Sequence, residues 1–132
     1  MTSFLGPYVE YAYAAMRLIV GFLFSCHGAQ KLFGALGGQA AIGDPLMLLA
    51  GSIEFFGGIL IALGLIASHV SFLASGMMAV AYFKVHAPHG FWPVLNEGEL
   101  ALAYCFVFLY IAFRGSGTIS LDKLLKSYKG PI

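Results

Sequence analysis

The sequence predicts an all-α protein, a four-helix transmembrane up-down bundle with both termini cytoplasmic. Three observations carry that prediction. The chain of 132 residues is 60% hydrophobic and only 10% charged, whereas a soluble domain carries about 25% charged residues. Its apolar residues fall into four stretches, each close to the roughly 20 residues that a helix rising about 1.5 Å per residue needs to cross hydrocarbon. The connections between them are short, which favours antiparallel neighbours, and no alternating strand pattern competes. Four spans use nearly all of the chain, so a single membrane domain over residues 1–132 is expected.

The first span is expected over 12–33, with Tyr8, Tyr11 and Tyr13 at headgroup level and the glycine-rich stretch 34–38 as its stop. Asp44 followed by Pro45 reads as an N-cap and first-turn proline opening the second span, 46–65. Ser68 is the expected cap of the third span, 69–86, which the prolines of APHGFWP end. Asn96 and Glu99 have capping-box spacing and open the fourth span, 97–114, which Gly115 and Gly117 close. A lysine-bearing tail, 115–132, follows. Arg114, Lys123, Lys126 and Lys129 lie beyond the fourth span, against Lys31 and Lys84 at the other ends, and this bias places the tail in the cytoplasm. No Lys or Arg precedes Arg17, so the N-terminus does not read as a cleaved signal peptide. A net charge of +1 argues against nucleic acid as a partner, which requires a basic face.

Ionisable residues inside apolar spans mark a candidate site, because charge is tolerated in hydrocarbon only against a partner or water. Counting helical rise from the outer boundary puts His27 about 10 Å deep and Glu54 about 12 Å deep, with Lys31, Lys84, His86, Glu97 and Glu99 within about 5 Å of the surface. All four helices therefore send polar groups to one leaflet. Glu54 shares a helix face with Gly51 and Gly58, where another helix can come close, and its expected partner is His27 or Lys31. Arg17, near the opposite boundary, is expected to snorkel to phosphates or to meet Glu10. Cys26 and Cys105 come out at similar depths; isolated cysteines in apolar segments usually act as small hydrophobes.

The segment RLIVGFLFSCHGAQKLFG (17–34) resembles the opening of the DoxX family of small bacterial four-helix membrane proteins. GSIEFFGGILIALGL (51–65) is similar to that family's glycine-flanked glutamate segment, and FKVHAPHGFW (83–92), NEGELALAY (96–104) and GSGTISLD (115–122) resemble its later motifs in order. The resemblance implies a multi-pass protein of the bacterial inner membrane. It also implies a kinship with the small membrane subunit of thiosulfate:quinone oxidoreductase, and with oxidative and thiol-stress complexes. The family-like polar residues are Arg17, His27, Lys31, Glu54, His86 and Glu99.

The functional expectation is a membrane accessory subunit of a quinone-linked redox or stress-protection system, in which His27, Lys31, Glu54, His86 and Glu99 bind a ligand in the outer half of the bundle. A quinone needs a proton donor at its carbonyl oxygen, and His27 or Lys31 with Glu54 as relay fits, between Phe24, Phe55, Phe56 and Trp92. Haem between His27 and His86, or a metal on His86 and His89 with Glu97 or His27, ranks lower; Pro88 interrupts the second set. No metal ligands are assigned, and whether the chain is catalytic stays open. The rival expectation is a non-catalytic scaffold or assembly factor whose buried ion pair fixes helix register. Partners beyond lipid would be a redox protein or a second copy, for which Gly57, Gly64, Ala74 and Gly76 offer close helix contact.

Overall fold

The computed structural model describes residues 3–130, and these are helical, with no strand among them. Helix α1 runs Val9–Phe33, α2 Pro45–Leu63, α3 Ala67–Ala81, α4 Glu99–Arg114 and α5 Leu121–Tyr128. Gly34 stops α1 at φ 65°, and Gly64 stops α2 at φ 68°. Both adopt the left-handed conformation that glycine takes without steric cost. Asp44 caps α2 as its sequence suggests, its carboxylate accepting from the Leu46 and Met47 amides at 3.1 and 3.2 Å.

Two other caps differ from expectation. Helix α3 begins at Ala67, ahead of Ser68, whose hydroxyl instead donates to Ala112 O at 2.6 Å. The amides at its start are satisfied from the far end of the chain: Ile66 N–H donates to Asp122 Oδ2 and Ala67 N–H to Ser116 Oγ. Helix α4 begins at Glu99 behind Gly98, with no side-chain cap bond. Asn96 is buried and ties the preceding loop, accepting from Gly98 N–H and donating to Gly90 O and Tyr82 Oη. The end of α3 is also irregular. Residues Tyr82–His86 form a wider π turn and Ala87–His89 a tight 3₁₀ turn, so the helix loosens before Pro88 halts it.

Pairing is antiparallel in both tight helix pairs. Gly21 meets Gly58 and Ala62, and further along α1 Gly28 meets Gly51 and Phe55, so numbers rising along α1 fall along α2. A Cβ at Gly58 would stand 2.5 Å from the Ser25 amide and Gly21 carbonyl; backbone contact of this kind requires glycine. Helices α3 and α4 are joined by Ser68 to Ala112 and Ser75 to Cys105. Phe24, Phe108, Ile61 and Ile111 fill the interior.

The outside is as apolar as the inside. Phe22 on α1, Phe56 on α2, Phe72 on α3 and Phe106 on α4 are each more than half exposed, an arrangement that calls for a non-aqueous surrounding. Three helical segments, Gly6–Phe33, Pro45–Leu63 and Ala67–His89, are long and apolar enough to cross a membrane. Helix α4, with 16 residues, is about 24 Å long and falls short of a span by itself.

Candidate functional site

Between α1, α2, the end of α3 and α4 lies a cavity of about 430 Å³. Its formation begins with glycine. Gly28 and Gly51 bring α1 and α2 so close that a Cβ on Gly51 would lie 2.9 Å from the Lys31 Cβ. The Lys31 stem can therefore lie along α2 and reach Glu54, one turn away. The Lys31 Nζ donates to Glu54 Oε1 at 2.5 Å. Of the two expected partners, Lys31 is the one that pairs. The Glu54 side chain is only 4% exposed, and its second oxygen, Oε2, is buried with no hydrogen-bond partner.

His27, Lys31, Glu54 and His86 all line this cavity. The His27 ring stands edge-on to Tyr104, with centroids 6.3 Å apart. His86 reaches it because the π turn rotates the end of α3; its Nδ1 lies 3.1 Å from Asn96 O, which holds the ring. Glu99 is not brought to the cavity: it lies exposed on the first turn of α4, and Glu97, two residues earlier, lines the wall in its place. Glu97 does so from a left-handed backbone at φ 61°, a conformation non-glycine residues adopt at a cost.

The aromatic surroundings differ from those expected. Phe24 lines the cavity, but Phe55, Phe56 and Trp92 do not; Phe55 stacks edge-on with Phe33 and Phe56, and Trp92 with Phe91. The wall is built instead from Phe24 and Tyr104, backed by Phe108 in a cluster with centroids 4.6 to 5.6 Å apart. Met77 and Met78 complete the apolar side, and Lys84 stands at the lining as well. Tyr104 was legible only as one aromatic of NEGELALAY, and nothing in helical rise singles it out.

Among the described residues, no group of three or more His, Cys, Asp or Glu is arranged to hold a metal ion. His89 turns back to its own helix, with Nδ1 3.0 Å from Val85 O. Cys26 and Cys105 are free thiols, and Cys105 Sγ lies 3.6 Å from Ser75 Oγ.

The opposite end is polar in another way. Arg17 is 3% exposed and does not snorkel. Its Nε donates to Ile61 O at 2.9 Å, Nη2 to Ile119 O at 2.9 Å, and Nη1 to Ser116 O. Glu10 pairs with Arg114, not Arg17, and accepts from Thr118 Oγ1 at 2.9 Å. Tyr13 is buried, its hydroxyl donating to Gly115 O at 2.5 Å and its ring lying 4.5 Å from the Arg114 guanidinium. These residues bind the 115–120 segment to α1 and leave Tyr8 and Tyr11 exposed.

A helical protein with an apolar exterior, apolar helices long enough to span and a buried ion pair is a membrane protein. The DoxX family model matches residues 12–87, more than half of the chain, and the chain belongs to the DoxX family. A protein of Haemophilus influenzae, described as uncharacterized, is 43% identical over 125 residues, covering 89% of this chain and 93% of the relative. No solved structure matches the chain. The family match includes His27, Lys31, Glu54 and His86; Glu97, Glu99 and Tyr104 lie beyond it.

Proposed function

We propose that the protein is a multi-pass subunit of the bacterial inner membrane, a single four-helix up-down domain with both termini cytoplasmic, whose cavity binds a small quinone-like molecule for a redox or stress-protection partner. Phe106 and Phe113 support embedding of α4, since both are more than half exposed on a helix packed against a spanning one. Hydrophobic mismatch is the cost for a helix of about 24 Å. Bias of Arg114, Lys123, Lys126 and Lys129 toward one end supports the orientation.

The observation that carries the ligand reading is Glu54 Oε2. A buried carboxylate oxygen without a partner costs stability unless something donates to it. It sits on a residue lining a cavity with an apolar wall and a polar end, the form that ligand sites take. The quinol form would donate a hydroxyl to Oε2. In the quinone form Lys31 or His27 would donate to a carbonyl oxygen, Glu54 would relay protons that quinone reduction consumes, and a partner protein would supply the electrons. His86 and Glu97 border the same space; Glu99 has no place in it.

The test is a detergent-purified sample extracted for bound small molecules and read by absorbance and mass spectrometry, beside Glu54→Gln. The reading expects an apolar molecule with a polar head, lost from Glu54→Gln at unchanged folded yield. A second reading, a scaffold in which Lys31 and Glu54 lock α1 to α2, is favoured by the glycine contacts on either side of that pair. It expects no ligand and a collapse of yield in Glu54→Gln.

A further inference from the structure

A second cavity, of about 390 Å³, lies at the other end of the molecule, between the start of α3 and helix α5. We infer that it seats the phosphate of an anionic lipid headgroup, while the bare apolar stripe on the other face of α5 rests in the bilayer. Neither the ligand of the Glu54 cavity nor the choice of leaflet enters this inference.

Charge at the cavity is unbalanced. Lys123 and Lys126 line it from one face of α5, three residues apart, and His69 lines it from the first turn of α3. Among the described residues, neither lysine has a carboxylate within 4.0 Å. Asp122 also lines the cavity, but its Oδ2 is occupied by the Ile66 amide and the Ser116 hydroxyl, which donates at 2.6 Å. Its charge is thus met by the positive end of α3. Ser68 Oγ gives its proton to Ala112 O. Among the described residues, the cavity therefore offers an incoming anion two ammonium groups without a carboxylate partner and an imidazole, beside the one engaged carboxylate of Asp122, which suits a phosphate.

The second line of evidence is α5. Leu121, Leu124, Leu125 and Tyr128 form one stripe at helical spacing, and Leu124, Leu125 and Tyr128 are 54%, 46% and 84% exposed. A short helix with a bare apolar stripe and lysines on its other face is built for the headgroup boundary. Ser120 caps it through the Lys123 amide, and Asp122 N–H donates to Gly64 O, so α5 is fixed beside the membrane-spanning helices. Aqueous phosphate would use the lysines but leave the stripe uncovered; a bilayer satisfies both, its hydrocarbon covering the stripe and a headgroup phosphate reaching the lysines.

Native mass spectrometry of the full chain in detergent, titrated with phosphatidylglycerol or phosphatidylcholine, tests the seat. The chain should retain phosphatidylglycerol at least tenfold better. Each lysine at an anionic surface is worth about 1 kcal/mol, roughly fivefold, so Lys123→Gln with Lys126→Gln should cost roughly 25-fold. Both side chains are exposed, and an unchanged melting temperature without lipid establishes that the variant folds. Lys129→Gln, the same charge change outside the cavity lining, should leave retention intact. Equal retention of the two lipids, an equal loss in Lys129→Gln, or full displacement of lipid by millimolar inorganic phosphate would each overturn the proposal.

Discussion

The two ends of the helical bundle hold similar charges and treat them in opposite ways. At the α5 end, every nitrogen of Arg17 donates to a backbone carbonyl. Glu10 is used twice over, by Arg114 and Thr118. Among the described residues, Arg114 Nε is left buried without a partner here, with that guanidinium resting on the Tyr13 ring, and Ser71 Oγ one turn into α3 is another. At the Glu54 end, one carboxylate oxygen is paired and the other is not, beside a cavity that backbone does not fill. Saturated polar groups hold a fold together; an unsaturated one costs stability and is retained where something else will meet it.

The largest expected effect tests the saturated end. Arg17→Ala strips partners from the Ile61, Ser116 and Ile119 carbonyls and opens a space beneath Gly64, so a loss of about 3 kcal/mol or more is expected, at about 1 to 3 kcal/mol for each stranded acceptor. It should appear as loss of monodisperse protein on size-exclusion chromatography, and an unaffected melting temperature would break the comparison. Gly58→Val drives a side chain into the Gly21 and Ser25 backbone and should cost more than the 1 to 3 kcal/mol or so typical of overpacking, because backbone cannot repack. Gly76→Ala, at a glycine with open space around it, should by contrast leave the melting temperature nearly unchanged or slightly raised.

Smaller effects sharpen the distinction. Asp122→Ala removes the partner of the Ile66 amide and should cost about 0.5 to 2 kcal/mol, the range of a lost N-cap. Hydrogen exchange should then speed up at the start of α3 and spare α1. Glu54→Gln should change stability little, by about 1 kcal/mol or less, since an amide keeps the shape and transmembrane polar pairs average about 0.6 kcal/mol. Its effect should appear in ligand retention. Lys31→Met alone should be worse than Lys31→Met with Glu54→Gln, because only the single variant strands a buried charge.

Features set by neighbouring residues were readable from the sequence. The Asp44 and Pro45 start, the Gly34 stop and the placement of three apolar spans all depend on a few adjacent residues. That Glu54 needs a partner, His27 or Lys31, follows from helical rise and the cost of buried charge. Features set by distant residues were not readable. The cap of α3 comes from Asp122, 56 residues away, whereas local spacing points to Ser68. Arg17 has the sequence position of an interfacial arginine, and the carbonyls it meets, at Ser116 and Ile119, belong to a loop whose return to α1 no periodicity announces. Glu97 rather than Glu99 reaches the cavity because of a left-handed turn at a non-glycine residue, which has no local signature here; Lys84 and His86 line it as the helical rise suggests, though the π turn they sit in is not announced. Tyr104 joins the wall through the packing of α4 on Phe24, a tertiary outcome.

Arg17 and Ile119 are 102 positions apart in the chain, and that interval imposes an order on biogenesis. At roughly 5 to 20 residues per second, the first helix waits on the order of 5 to 20 seconds for the carbonyls that will cover its guanidinium. Until then that cation must be sheltered by water, lipid phosphate or the insertion machinery. Helix α1, made before the other four, is thus among the last of them to be finished.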